Sequence, residues 1–457
     1  MAKAVRVSPF ARTGVLAVMA AGLFAYIYFV ESKKPAPTGD DSKPKEKVFH
    51  FDKAKVKELA FSAAGESTKL VKEGTGWKME APLAVAADVS AVDAIVSSLS
   101  GLEMDEEVAA SAPSLKDFGL ESPDKTVTIT TEGGVAETLL LGGKLADGSG
   151  VYAKTPDQTR IFTVGTFGLS SLDKKPFDLR DRDLLHIKRD AVKTLEITGP
   201  QGSYALAKTD KGEWGFTKPL ATLAGRWTVD GLLGTVEGLR MESVAAEEAK
   251  DLKKFGLDKP TRTVTLGLAD GVTKTLEIGT AAGDKKWHAR EKGASLVAVI
   301  PGVIVDDLAK GMGELRSKRV LEVATYETEG FDVVAGGATS TYAKTTAKDA
   351  QGIESAKWKR TAKDAKDLET SKVEDALFKI GAIEVAEFID QPKGPEAYGL
   401  DAPALALLIR SGAGKGEQKL ELGKKEGAVY ARRTGDAAIL KIDTTKAEEL
   451  IKAFAEL

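Results

Sequence analysis

The 457-residue chain has no cysteine, only three histidines and only five tryptophans. Without cysteine there is no disulfide framework, no thiolate metal site, no cysteine nucleophile and no lipid attachment through an N-terminal cysteine; the absence assigns no redox compartment. So little histidine removes the His-x-x-x-His spacings from which metal sites are read, and neither a metal nor another cofactor is expected. An excess of basic residues is missing too, with 65 Lys and Arg against 68 Asp and Glu. A phosphate-binding face needs clustered cations, so nucleic acid is not an expected partner. No Gly-x-Ser-x-Gly elbow occurs. The stretch 412–416, Gly-Ala-Gly-Lys-Gly, lacks the closing Gly-Lys-Ser/Thr of a phosphate loop and reads as a hairpin turn. No catalytic residue is assigned.

What the chain does have is repetition. Phe118-Gly119-Leu120, Phe255-Gly256-Leu257 and Tyr398-Gly399-Leu400 each precede a proline by three residues, at Pro123, Pro260 and Pro403. Trp77, Trp214 and Trp358 stand 41, 41 and 40 positions before the three aromatics (118−77, 255−214, 398−358). Val92, Val229 and Val373 follow each tryptophan by 15. One unit is therefore written three times. A residue that recurs at one position of every unit is most simply a core anchor, which is the role expected of these tryptophans and motif residues. The motif glycine is expected to supply a positive φ in a turn.

Before the repeats, residues 13–30 carry no charge, and 18 residues at about 1.5 Å each nearly cross a hydrocarbon core. Lys3, Arg6 and Arg12 precede this run without an acidic residue. The positive-inside rule then keeps the N-terminus cytoplasmic and places the bulk of the chain outside the membrane. The run ends in Tyr-Ile-Tyr-Phe-Val, unlike the small residues of a cleavage site, so an uncleaved signal anchor in the lipid bilayer is expected. Residues 31–47 have linker composition. The expected organisation is 1–30 cytoplasmic end and anchor, 31–47 linker, and repeat units at 48–183, 184–319 and 320–457.

Within each unit a period of two, then 3.6, then two again argues for an α+β fold of antiparallel strands with packed helices. In the first unit Lys57–Ser62 and Thr68–Glu73 alternate as strands. Val89, Val92, Ile95, Val96, Leu99 and Leu102 then form one helical stripe. Ser371 with Glu374 predicts a capping box for the third counterpart. Glu132-Gly133-Gly134 and Asp270-Gly271 predict hairpin turns, and residues 445–457 a closing helix.

Histidine offers one repeated pair, His50 and His186, expected as partly exposed strand residues; the third is His288. The run Asp178–Asp183 and the related Glu314–Arg319 sit at unit junctions. Arg180, Asp181, Arg182 and Arg316 are therefore candidates for fixing how units meet, or for partner contact.

A short N-terminal anchor, repeated Trp then Phe-Gly-Leu-x-x-Pro units, and Leu-Arg junctions together resemble a bacterial envelope family known as a repeated domain of unknown function. The resemblance spans about residues 13–457 apart from the linker. Members often accompany gliding-type ABC transporter components, so the resemblance implies a transporter or envelope-complex partner and no chemistry. The third unit departs by lacking the proline equivalent to Pro82 and Pro219 and the closing Leu-Arg junction, as suits a terminal unit. The function expected is a non-enzymatic, membrane-anchored extracytoplasmic scaffold or adaptor. The alternative is a glycan- or peptidoglycan-binding module using Tyr152, Trp287 and Tyr430; a hydrolase with scattered carboxylates is a third reading.

Overall fold

The computed structural model describes residues 45–457 except 64–65, 210–211, 336, 349–353, 362–364 and 413–415. The anchor expected at 13–30 and the linker up to residue 44 lie outside the described residues. Among the described residues no helix is long and apolar enough to cross a membrane. The chain divides into two compact units, the first ending at Asp181 and the second running from Arg182 to Leu457.

The first unit holds β1 (Val56–Ala63), β2 (Glu66–Glu73), β3 (Gly76–Ala81), β4 (Val85–Ala87), β5 (Glu107–Ala109), β6 (Lys125–Thr131), β7 (Ala136–Lys144), β8 (Gly150–Lys154) and β9 (Ile161–Gly165). They form one sheet in the order β4-β3-β2-β1-β6-β7-β8-β9-β5. Every neighbouring pair is antiparallel. The register sets Leu59 opposite both Leu70 and Ile129, so alternate residues of three adjacent strands fall on one buried face. Helix α1 (Val89–Ser100) starts where the Asp88 side chain accepts the Ala91 N–H at 3.0 Å. It buries Val92, Ile95, Val96 and Leu99 in one cluster with Leu59, Leu70, Trp77 and Ile129. Each of these four aliphatic side chains contributes about 1.5–3 kcal/mol relative to exposure.

The second unit contains the same nine-strand order twice, in strands between Val192 and Pro301 and between Thr328 and Ile442. The α+β expectation is corrected here. Three nine-stranded antiparallel sheets dominate, and no helix among the described residues exceeds 12 residues. Strands such as Val85–Ala87, Glu107–Ala109 and Thr222–Leu223 span three, three and two residues. That is too short to display a period of two, so the sequence understates the sheet. The capping box at Ser371 does not form either: Glu369 is the N-cap, and the Ser371 hydroxyl donates to its carboxylate at 2.9 Å.

A further contact recurs. The segment leading into a repeat pairs with the residues just after its first helix, through Met104 N–H to Glu46 O at 2.8 Å, Met241 N–H to Arg182 O at 2.9 Å and Val385 N–H to Lys318 O at 2.6 Å. In the third repeat the helix Thr444–Ala455 adds Ala447, Leu450 and Phe454 to the core, and Leu220 of the second repeat packs against that core.

Candidate functional site

The repeat motif is a packing device. Gly119, Gly256 and Gly399 adopt φ of 68°, 67° and 66°, each ending a 3-10 turn. A Cβ on Gly142, Gly279 or Gly423 of the facing strand would come within 2.3, 2.0 and 2.3 Å of the carbonyls of Phe118, Phe255 and Tyr398. Turn and strand therefore touch backbone to backbone, and glycine is required on both sides. Leu120, Leu257 and Leu400 are buried beneath. Trp77, Trp214 and Trp358 are 4%, 2% and 0% exposed, which leaves no ring face for a ligand. A lysine ammonium lies over each indole: Lys72, Lys208 and Lys344, at 5.8, 5.3 and 5.9 Å.

The aromatics of the following strand divide in two. Phe118 meets Tyr152, Phe255 meets His288 and Tyr398 meets Tyr430 edge-on, all at 5.1 Å between ring centroids. His288 is thus the counterpart of Tyr152 and Tyr430 in packing as it is in sequence register. One step along a strand reverses the face, and Trp287 instead carries the Arg262 guanidinium at 5.7 Å. His50 and His186 are exposed residues of otherwise largely buried lead-in segments, not of strands, and His186 has φ of 49°. Sequence periodicity did not reveal that these segments pair with the chain by isolated bridges only, as at Lys47 and Glu103 or Asp183 and Arg240.

Of the junction residues, Arg180 and Asp181 are held by the first repeat. Arg180 is buried and bridges Ala87, while Asp181 N–H donates to Ala86 O at 2.9 Å. Arg182 presents its carbonyl to Met241 N–H. Arg316, the counterpart of Arg180, bridges Ala224 and reaches into the third repeat. There it pairs with Asp390 at 2.8 Å and lies 4.6 Å from the Phe388 ring centre.

Beside Arg316 is a polar cluster that the sequence reading missed. Arg433 and Asp436 pair at 2.7 Å with both side chains 0% exposed. The Arg433 guanidinium also donates to the carbonyls of Ser317, Arg319 and Val320. Asp436 accepts from the Thr222 hydroxyl at 2.9 Å, and Ala437 N–H donates to Ala221 O at 2.9 Å. The hairpin 218–223 of the second repeat is thereby seated on the loop 433–438 of the third. Burial pushes the Arg433 guanidinium below its ordinary pKa, with Asp436 opposing. A hint was present: Arg433 stands where the other repeats have Thr155 and Glu291, so it breaks the repeat.

In the first unit the corresponding place is open. A cavity of about 320 Å3 lies between the lead-in residues Lys47–His50, the start of β7 at Glu137, and the loop Thr155–Gln158, with Met104 and Phe162 on its wall. Arg160 closes one side with a two-pronged bond to Glu46 at 2.9 and 2.5 Å. Hydrogen bonds from Arg160 hold the Glu46 carboxyl below the usual carboxylate range. Glu137 is fixed by the His50 N–H at 2.8 Å. The Thr155 hydroxyl is buried and finds no partner. Among the described residues no group of three His, Asp or Glu is arranged to hold a metal ion.

Among known families, the model of a domain of unknown function (DUF4340) matches residues 77–225 and again 214–403. Each match begins on a repeat tryptophan. No curated protein matches the chain.

Proposed function

The chain belongs to the DUF4340 family, repeated within it, and from that premise we propose that it is a non-enzymatic, membrane-anchored extracytoplasmic scaffold or adaptor serving an envelope or ABC-transporter complex. Residues 13–30 would anchor it, with the N-terminus cytoplasmic and the repeats outside. The observation that carries the reading is a set of exposed aromatic rings at positions the repeat does not require. Phe167, Trp227 and Phe378 are 94%, 78% and 70% exposed. In register, Trp227 replaces Ser90 and Ser371, and Phe378 replaces Ser97 and Gly234. Trp227 and Phe378, left in water where sister repeats carry serine or glycine, do nothing for the core, and aromatic rings are the side chains from which protein contacts draw much of their energy.

A glycan-binding module is the second reading, favoured by the open Trp227 ring with the Arg226 guanidinium 5.3 Å away. Tyr152 and Tyr430 lend it less, because each is half-buried with its ring engaged by a motif aromatic.

The test is crosslinking in intact cells followed by pull-down of the full-length tagged protein. Transporter or envelope-assembly subunits should be recovered with the parent chain and lost with Phe167→Ala, Trp227→Ala and Phe378→Ala combined. Those changes remove exposed rings only, so the circular dichroism of the variant should match the parent. Recovery of cell-wall saccharide in place of protein moves the second reading ahead; unchanged protein recovery from the variant sinks the role of the rings.

A further inference from the structure

The open cavity of the first repeat and the filled cluster of the third are the same place in the fold. The loops align residue for residue, Thr155–Ile161 on Arg433–Ile439, and share a turn, with Gln158 N–H on Thr155 O at 3.3 Å and Asp436 N–H on Arg433 O at 3.4 Å. The lead-in segments align as well, Val48 N–H on Leu102 O at 2.9 Å and Val320 N–H on Ile383 O at 3.0 Å. In the third repeat this place receives two things: the Arg433 guanidinium, spent on lead-in carbonyls, and the hairpin 218–223 of the preceding repeat. In the first repeat threonine replaces the arginine. Among the described residues no donor reaches the Lys47 or Val48 carbonyl, counterparts of two that Arg433 binds. Pro156, Asp157 and Thr159 of the loop are exposed.

We propose that this cavity is a docking site for a partner protein's loop carrying an arginine, whose guanidinium takes the place Arg433 holds in the third repeat. This rests on the adaptor reading only in taking the occupant to be a protein. Charge favours a cation over an anion. Arg160 is already committed to Glu46, and the carboxylates Glu137 and Asp157 outnumber the remaining lining cation, Lys47. A guanidinium also suits the cavity, since in the third repeat such a fork of N–H donors is taken up by the carbonyls of Arg319 and Val320, the counterparts of Lys47 and Val48.

The experiment uses the full chain in detergent micelles and two small probes, Nα-acetyl-arginine N-methylamide and its uncharged citrulline counterpart, read by saturation-transfer NMR. The arginine probe should bind saturably and at least tenfold more tightly than the citrulline probe. Thr155→Arg supplies the guanidinium from within, so it should abolish the response and raise the thermal midpoint. Glu137→Gln with Asp157→Asn should weaken arginine binding without altering circular dichroism, which keeps the test decisive if Thr155→Arg fails to fold. Equal responses to the two probes, no saturation, or arginine binding that survives these substitutions would overturn the proposal. So would concentration-dependent self-association abolished by Thr155→Arg, because the occupant would then be a second copy of the chain. Arginine binding that is intact while the pull-down recovers no protein would count against the adaptor reading and leave the cation site standing.

Discussion

Two carboxylates in the joint between the second and third repeats bind arginines at nearly the same distance, and their removal should have very different costs. Asp436 is 2.7 Å from Arg433 with both side chains 0% exposed. Asp390 is 2.8 Å from Arg316, which is 3% exposed, but Asp390 itself is 44% exposed. At an effective dielectric of about 20, either pair gains roughly 6 kcal/mol of gross Coulomb attraction. What separates them is access to water. Asp436→Ala leaves a guanidinium sealed among the carbonyls of Ser317, Arg319 and Val320, and orphans the Thr222 hydroxyl. Removing one partner of such a buried pair costs about 3–5 kcal/mol. Asp390→Ala opens onto solvent that can reach the Arg316 nitrogen it leaves, and should cost less, about 1–2 kcal/mol.

The assay is urea unfolding of the full chain, followed in parallel by circular dichroism and tryptophan fluorescence. Thr222→Val supplies the third point. It should cost about 1–2 kcal/mol alone and much less on top of Asp436→Ala, because the hydroxyl and the carboxylate serve each other. If the joint couples the repeats, Asp436→Ala should also split a shared transition into two. Equal costs for Asp390→Ala and Asp436→Ala, or a cost below about 1 kcal/mol for Asp436→Ala, would refute the reasoning that burial decides the strength of this joint.

Three further outcomes follow from local geometry. Gly279→Ala drives a Cβ to 2.0 Å from the Phe255 carbonyl and should cost about 3 kcal/mol. Gly271→Ala meets nothing within 4 Å and pays only for its φ of +84°, about 1–2 kcal/mol; reversal of that order in thermal unfolding would discredit the contact. Asp332 is held below the ordinary carboxylate range, chiefly by hydrogen bonds from Arg410. Its contribution is therefore present above about pH 4, the unfolded value, and lost as pH falls through the lower folded value. Asp332→Asn should flatten that acid loss by less than about 1 kcal/mol, since the pair is partly exposed. Tyr204, buried with its hydroxyl donating to Lys310 O at 3.0 Å, has its pKa pushed up to about 12, chiefly by burial. Its share of stability is present below about pH 10 and lost as pH rises through the folded value. An ultraviolet titration should leave this phenol silent until that range, and Tyr204→Phe should remove the late step.

What could be read from the sequence was what recurs. The tryptophans and the Phe/Tyr-Gly-Leu turns stand out because rare residues at a fixed interval survive any local ambiguity. The helix stripe through Val92, Val229 and Val373 does so because 12 residues are enough to display a period. The sheets were underestimated for the opposite reason: a strand of two residues such as Thr222–Leu223 has no period, and only its partner Gly215–Phe216 defines it. Trp287, named with Tyr152 and Tyr430 for glycan stacking, stands one position before their counterpart His288 and so faces the other side of the strand.

The same preference for what recurs hid the joint. Arg433, Asp436 and Thr222 each occur at their position in one repeat only, so a reading that rewards agreement among copies passes over them. A core must be solved identically in every copy, and selection on packing makes the copies agree. A docking face must differ wherever its neighbour differs. In the third repeat the cavity is closed by its own arginine and by the preceding hairpin, whereas in the first it is left with threonine and a buried hydroxyl without a partner. Subtracting the shared pattern from each copy therefore points to the places where a repeat meets something other than itself, and in this chain it singles out Trp227, Phe378 and the Thr155 cavity.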